Sequence, residues 1–370
     1  MRETPLTVFQ LTFQGDGAGS TQSILNLSEE LARRGHRVLV GCRAESLLFR
    51  TASAARLETV PLDFSRIGSL GRALASVLSR ERVDVVNSHA TRDRRALTWL
   101  RVRARLPQAF VATRRTMPLT SPLELRLVGL AADRTVAVSS AVARALAHRW
   151  HPVARLRVVP NGIDLSRVDD EPGEAEVAAA RASLGEIGAR RVVAVIARRK
   201  DQDVLLAALP SVETPVLLAC VGIEADVTLQ ALSRALPERH RAVFIPFSPR
   251  PLAHYRLASV VALPSRIEGL SQTLLEAMAL GLPVVASDAG GNTDLVTDDR
   301  TGLLVSPLDP AAWAHALTRL LAEPGLAARI AAAGRTLVRR DFTIARTAER
   351  TEAVYREAQQ RRLHAPPRPG

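Results

Sequence analysis

The chain has 370 residues, 47% hydrophobic and 24% charged, with 50 basic against 37 acidic side chains and a formal net charge of +13. Disorder needs lower hydrophobicity, collagen a glycine period and a disulfide miniprotein far more than two cysteines, so a cored chain long enough for two α/β domains remains. No stretch reaches the ~18 to 20 consecutive apolar residues of a membrane span, and Met1 to Phe13 lacks the apolar run of a leader, which sets a cytoplasmic expectation.

Short apolar runs alternate with helical-period stretches. Val8 to Phe13 reads as a strand, Ser20 to Arg34 as a helix ended by Gly35, and Val38 to Cys42 as a second strand. The rhythm continues through a strand at Val83 to Asn87, a helix from about Asp93, strands near Phe110 and Val136, a helix from about Ser140, and a strand at Leu156 to Val159. Such crossovers imply a parallel sheet. An acidic stretch with breakers, Asp169 to Glu174, then separates two periodic halves. The second half repeats the pattern, with strands at Val192 to Ile196, Val216 to Val221, Val243 to Phe247, Val260 to Leu263 and Val284 to Ser287. The expectation is an α/β chain of two doubly wound domains, 1–168 and 169–342. A last helix over 343–362 closes the second domain or crosses back to the first, and 363–370 forms a tail. Cys42 and Cys220 each end a β-like run and are expected to be buried free thiols.

The basic excess is almost all arginine, because Lys200 is the only lysine. Its densest patch runs through Arg92, Arg94, Arg95, Arg101, Arg103, Arg105, Arg114 and Arg115, with Asp93 the one acid among them. A positive field of this kind attracts nucleotides, anionic lipid or nucleic acid without choosing among them.

Three segments carry candidate chemistry. Gly15-Asp16-Gly17-Ala18-Gly19-Ser20 lies between a predicted strand and a predicted helix, where backbone N–H groups and the helix dipole favour a phosphate. Its glycines lack the G-x-G-x-x-G spacing, so a tight turn explains them as well as a ligand loop does. The segment from Pro264 to Met278 sets Glu268 and Glu276 eight residues apart. Leu274, Leu275, Met278 and Ala279 make its apolar stripe, and Glu276 points roughly 130° from the centre of that stripe, free to face a cleft. Glu268 sits before the helix beside the unpaired amides of Gly269, Leu270 and Ser271, although Ser271 could simply cap the helix and Glu276 be a solvated acid. Finally, Arg198-Arg199-Lys200 follows a strand and suits a departing diphosphate, whose growing charge fixed cations stabilise without a metal. Asp201-Gln202-Asp203 spells D-x-D, but helix capping accounts for those acids and three adjacent cations disfavour a divalent ion.

Taken together, these segments resemble the retaining GT-B glycosyltransferases of the large E-x7-E group, the family 4-like enzymes. The resemblance extends from the first glycine loop through Val158 to Asp164, Arg198 to Leu206, Pro264 to Glu276 and Gly281 to Ser287 to Gly290-Gly291 and Thr301 to Val305. It implies two Rossmann-like domains facing a cleft, with the donor held mainly by the second. It also implies that Glu268 contacts the donor sugar, Glu276 the ribose, and Arg198 with Lys200 the diphosphate, while Gly17, Gly19 and the amides of Gly269 to Ser271 help hold the donor. Retention in this group is described as a front-face displacement in which the departing phosphate takes the acceptor's proton. Two departures stand out. The loop before Lys200 is short, so Arg199 competes with Arg198, and Arg115 stands where related enzymes carry a histidine, with His89 a further candidate at the cleft.

The preferred reading is a metal-independent glycosyltransferase using a nucleotide sugar as co-substrate, with no other cofactor, and a glycan or lipid-linked cell-envelope acceptor. The arginine patch suggests peripheral contact with an anionic membrane at its inner face. Alternatives are a nucleotide-sugar epimerase or phosphorylase on the same fold, and a nucleic-acid-binding protein. The last is not expected, because aromatics are only 4% of residues.

Overall fold

The computed structural model describes residues 4–16, 19–118, 120–248 and 251–364. The chain divides into two units, Met1–Ile163 with Ile344–Gly370, and Asp164–Thr343. The first unit contains β1 (Thr7–Leu11), α1 (Gly19–Arg33), β2 (Arg37–Cys42), α2 (Leu47–Ala54), β3 (Glu58–Pro61), α3 (Ile67–Arg80) and β4 (Val85–Ser88). It continues with α4 (Thr91–Val102), β5 (Ala109–Arg114), α5 (Pro122–Ala131), β6 (Arg134–Ala137), α6 (Ser140–Ala147) and β7 (Leu156–Val158). The second begins with α7 (Leu165–Asp169), α8 (Glu174–Leu184), β8 (Arg191–Ile196), α9 (Gln202–Ala208), β9 (Val216–Val221), α10 (Val227–Arg234) and β10 (Arg241–Ile245). It ends with α11 (Leu252–Leu257), β11 (Val260–Leu263), α12 (Gln272–Ala279), β12 (Val284–Ser287), α13 (Asn292–Leu295), β13 (Leu303–Val305), α14 (Pro310–Ala322) and α15 (Pro324–Asp341). A final helix, α16 (Ile344–Leu363), belongs to the first unit.

Each sheet is built from parallel pairs, in the orders β3-β2-β1-β4-β5-β6-β7 and β10-β9-β8-β11-β12-β13. In both, the chain winds outward from a central strand and then crosses to its other side. The loops leaving the adjacent pairs β1/β4 and β8/β11 therefore diverge, which opens a crevice at the carboxyl ends of those strands. The first glycine loop, His89, the 198–200 trio and the 268–276 segment lie on these four loops or on the helices that follow them, while Arg115 lies just after β5.

Strand residues alternate between two covered faces, as doubly wound sheets require. Phe9, Leu11 and Val86 pack with α3 and α4, whereas Val8, Val85 and Val111 pack with α1 and α16. On α16, Ile344, Ala348, Tyr355 and Ala358 form the buried stripe, a helical repeat that explains why this helix covers the sheet. Gly35, at φ +95°, ends α1: its N–H donates to the Ala32 carbonyl and that of His36 to the Leu31 carbonyl.

The division between units falls at Ile163/Asp164, ahead of the expected 168/169. Asp164 caps α7 by accepting from the Ser166 N–H at 3.1 Å, and α7 packs on α12 with Val168 buried, so this short helix joins the second unit. Strand β10 begins and ends two residues earlier than the apolar run suggested, because its register against β9 pairs Arg241 with Leu217 and Ile245 with Val221, leaving Phe247 exposed. Cys42 and Cys220 are buried free thiols, and burial pushes the Cys220 thiol up to about 12. Among the described residues no helix is long and apolar enough to cross a membrane.

The arginine patch read from sequence is not a continuous surface. Arg94, Arg101 and Arg114 are buried, and burial pushes Arg114 down to about 9. Arg101 pairs with Asp133 at 2.8 Å, Arg95 with Glu124 at 2.8 Å, and Arg92 stacks on the Phe13 ring. Linear crowding came from α4 and β5 contributing inward as well as outward positions.

A prediction follows for α16. Glu352 is taken out of water, which alone would raise its pKa, but Arg356, Arg34 and His36 outweigh that and hold it down at about 2. Arg356 and Arg34 lie 2.9 Å from it and His36 3.4 Å. A carboxyl depressed in the fold contributes stability that is present above its unfolded value near 4.5 and lost as pH falls toward 2. Unfolding midpoints measured across this window should fall, and Glu352→Gln should flatten that part of the profile by about 1 to 3 kcal/mol.

Candidate active site

The second unit gathers its chemistry where β8 and β11 end. Thr273 Oγ1 donates to the Ile196 carbonyl at 2.6 Å, tying the start of α12 to the end of β8. Two ion pairs join the loops themselves. Lys200 Nζ lies 2.9 Å from Glu268 Oε1, and Arg266 lies 3.0 Å from Asp201, whose other oxygen accepts from the Arg266 N–H. Asp201 adopts φ +61° and does not cap α9, so the capping role expected for it is replaced by this bridge. Asp203 is likewise an ion-pair partner, of Arg199 at 2.7 Å.

The basic trio is thereby sorted. Arg199 is held by Asp203 and by Asp226 at 3.0 Å, against α9 and α10. Arg198 is exposed, and its carbonyl accepts from Gln202 Nε2 at 2.7 Å. Lys200 is a third exposed, and its Glu268 partner is 13% exposed. Sequence reasoning placed Lys200 and Glu268 on two different parts of a ligand; the structure places them on each other.

Ser271 caps α12 by accepting from the Leu274 N–H at 3.2 Å, and Leu274, Leu275, Met278 and Ala279 are fully buried. Gly269 and Leu270 are buried, and neither N–H has a protein acceptor among the described residues. Glu276 is half-buried rather than solvated. Its Oε2 accepts from the Tyr255 hydroxyl at 2.8 Å, and burial raises its pKa above the ordinary carboxyl range. Tyr255, on α11, is itself fully buried, and sequence reasoning missed it. The available signal was rarity: the chain has only two tyrosines.

The other is Tyr355, and it anchors the first unit's site. Gln10 Nε2 and Asn87 Nδ2 donate to its hydroxyl at 3.0 and 2.8 Å. His89 Nε2 lies 2.8 Å from Gln10 Oε1, and Arg115 Nε lies 3.3 Å from His89 Nδ1. Because arginine can only donate, Nδ1 accepts and Nε2 carries the proton, which fixes His89 as one neutral tautomer. Burial and the nearby Arg115 and Arg94 cations hold its pKa well below the ordinary value. Arg115 also donates to Asn161 at 2.6 Å. His89 is thus a packed histidine with both nitrogens engaged, while Arg115 is half-buried beside it.

In the glycine-rich loop, Gly15 has a packing reason: an added Cβ would stand 2.7 Å from Ser46 Cβ. Gly19 opens α1 and is exposed, and Gly17 lies outside the described residues. Asp93, also missed, is buried and accepts from the N–H groups of Phe13, His89 and Ala90 at 3.0, 3.0 and 2.6 Å, so one carboxylate joins the loops that follow β1 and β4. Among the described residues no group of three His, Cys, Asp or Glu side chains could hold a metal ion.

Residues 17–167 match Glycosyltransferase Family 4 and residues 191–337 match Glycosyl transferases group 1. A D-inositol 3-phosphate glycosyltransferase of Xylanimonas cellulosilytica is 33% identical over 397 aligned residues, covering 94% of each chain. The chain is a family 4, group 1 glycosyltransferase. A GDP-mannose-dependent alpha-(1-6)-phosphatidylinositol monomannoside mannosyltransferase of Mycolicibacterium smegmatis is 37% identical over 231 residues, 57% of this glycosyltransferase and 59% of that relative. The fold is shared with Anabaena HepE in complex with UDP, at TM-score 0.80 and 18% identity over 94% and 99% of the two chains. It is shared equally with a Rickettsia africae glycosyltransferase, at TM-score 0.80 and 16% identity over 96% and 99%.

Proposed function

We propose that this glycosyltransferase moves a sugar from a nucleoside diphosphate to a hydroxyl of an inositol phosphate or of a lipid that carries one, with retention at the anomeric carbon. The observation that carries the reading is the match over nearly the whole length to the D-inositol 3-phosphate enzyme; the partial relative also acts on an inositol-containing acceptor. The second unit holds the donor. Arg198 and Lys200 receive the diphosphate at the end of β8, with Arg198 in the family arginine's role as the resemblance implies. The amides of Gly269 and Leu270 supply further donors, and Glu268 takes sugar hydroxyls. The resemblance also gives Gly17 and Gly19 to donor binding.

In the transfer, the bond from the anomeric carbon to the diphosphate oxygen breaks, and the acceptor oxygen bonds to the same face. The acceptor's proton passes to the departing phosphate oxygen. The growing negative charge meets fixed cations, so no metal is needed. This is supported by the state of the D-x-D acids, whose carboxylates are each taken up by an arginine. We place the enzyme in the cytoplasm, in peripheral contact with an anionic membrane.

A thermal-shift panel of UDP, GDP, ADP and their sugar conjugates, with and without EDTA, tests donor and metal together. A shift with one base that EDTA leaves unchanged supports the reading; a shift abolished by EDTA refutes the metal-free part. Transfer to inositol phosphate, with the anomeric configuration read by NMR, tests the acceptor and retention.

Glu276 is assigned to the ribose. Glu276→Ala should weaken nucleotide binding by about 10- to 100-fold, the range for losing hydrogen bonds to a charged group. Tyr255→Phe leaves the carboxylate in place without its 2.8 Å donor and should raise KM several-fold with little change in kcat. Titration calorimetry with the nucleotide distinguishes both from a general loss of fold.

A further inference from the structure

The first unit carries an apolar face that its own fold leaves uncovered. On α5, Leu125, Val128 and Ala131 turn inward, while Leu123, Leu127 and Leu130 stand 62%, 52% and 47% exposed. Positions i, i+4 and i+7 share one side of a helix, so the three leucines form a stripe. Alongside runs the segment after α6. Arg149 donates to the Thr120 carbonyl, His151 Nδ1 lies 3.2 Å from the Leu125 carbonyl, and Arg155 donates to the Gly129 and Leu130 carbonyls. Gly129 admits this approach, since an added Cβ would stand 2.5 Å from Pro152. The two strips together make one platform.

Trp150 stands on that platform, 63% exposed. Its backbone takes φ +64° where the chain leaves α6, a position that glycine fills without strain. An indole held in a costly conformation while in water points to something outside the chain that it meets. The charges at its side are positive: Arg126, Arg144 and Arg149 are exposed, and Arg126 and Arg144 have no carboxylate partner among the described residues. The single acid of α5, Glu124, is neutralised by Arg95 at 2.8 Å.

We infer that α5 and the Arg149–Arg155 segment form the seat by which this glycosyltransferase lies on an anionic lipid surface. Leu123, Leu127, Leu130 and Trp150 enter the boundary between headgroups and acyl chains, and Arg126 and Arg149 meet lipid phosphates. Interfacial helices pair an apolar stripe with flanking cations in this way, and tryptophan favours that depth. The inference rests on the peripheral-membrane reading above and moves it from the α4 arginines to this face.

The test is sedimentation of the full chain with phosphatidylglycerol/phosphatidylcholine vesicles and with phosphatidylcholine alone, across a salt series. Binding to the anionic vesicles that weakens with salt is expected. The double variant Leu127→Ser with Trp150→Ser should lower the partition coefficient about tenfold or more. Arg126→Glu should weaken binding to the anionic vesicles only. Both variants should keep the parent's thermal midpoint and nucleotide binding, because the altered side chains are exposed. Should the double variant bind as the parent does, this seat is wrong while the membrane reading stands. A parent chain that binds neither vesicle overturns both. Self-association that the double variant abolishes, with vesicle binding unchanged, overturns the seat and gives the face to a second copy.

Discussion

Replacing Lys200 with alanine is expected to lower turnover by about 10²- to 10³-fold, the range for removing one fixed donor aimed at charge that develops in a transition state. The site makes the loss larger than that of an ordinary surface lysine. Lys200 is held 2.9 Å from Glu268, and its backbone N–H donates to Gln202 Oε1 at 2.7 Å, so its stem leaves a braced loop at the end of β8. Without it, Glu268, 13% exposed, has no other ion-pair partner among the described residues, in the place where the proposed donor would bring phosphate. Repulsion then adds to the loss of attraction. Lys200→Arg keeps the charge but not the compact ammonium, and partial activity is expected. Because Lys200 is the chain's only lysine, reductive 13C-methylation labels one side chain besides the terminal amine. Its NMR signal should move on adding the nucleotide. Full turnover in Lys200→Ala, or a signal that ignores the nucleotide, would remove Lys200 from the assigned role.

The doubly wound plan was legible because parallel strands covered on both faces read as short, unbroken apolar runs. Val260–Leu263 and Val284–Ser287 were placed to the residue. Strand β3, Glu58–Pro61, gave no such signal, because it lies at a sheet edge and none of its residues is buried. At the site, residue types were readable and partners were not. Glu268 and Glu276 were readable as two acids eight residues apart, but nothing local says that Glu268 meets Lys200 or that a tyrosine on α11 holds Glu276. Both contacts join elements far apart in sequence. The same limit explains the arginine patch: charge density along the chain does not show which side of α4 or β5 a residue takes. Asp93 read as a lone acid in a basic run, and it is the buried acceptor that ties two loops together.

Gly290→Ala is expected to damage the site from behind, and more than its size suggests. Gly290 lies in the loop after β12 at φ +55°, a conformation that disfavours an L side chain by roughly 1 to 2 kcal/mol. A Cβ there would stand 2.2 Å from the Glu268 carbonyl oxygen and 3.0 Å from its nitrogen. Those are backbone atoms, so no side chain can swing aside; the Glu268 loop must move. That loop is otherwise fixed, since Gly291 N–H donates to the same carbonyl at 3.1 Å. Strain and lost hydrogen bonding together should cost about 2 to 4 kcal/mol. A shift of roughly 1 Å at Glu268 should lower kcat/KM by up to about 10²-fold even in molecules that remain folded. Gly325→Ala is the matched comparison in the same unit: its added Cβ meets nothing within 4 Å near the start of α15, and it should be neutral or stabilising by up to about 1 kcal/mol. Thermal midpoints and kcat/KM for the two alanine variants decide the matter. If Gly290→Ala matches Gly325→Ala in both, the close approach of Gly290 to the Glu268 backbone does not position the carboxylate.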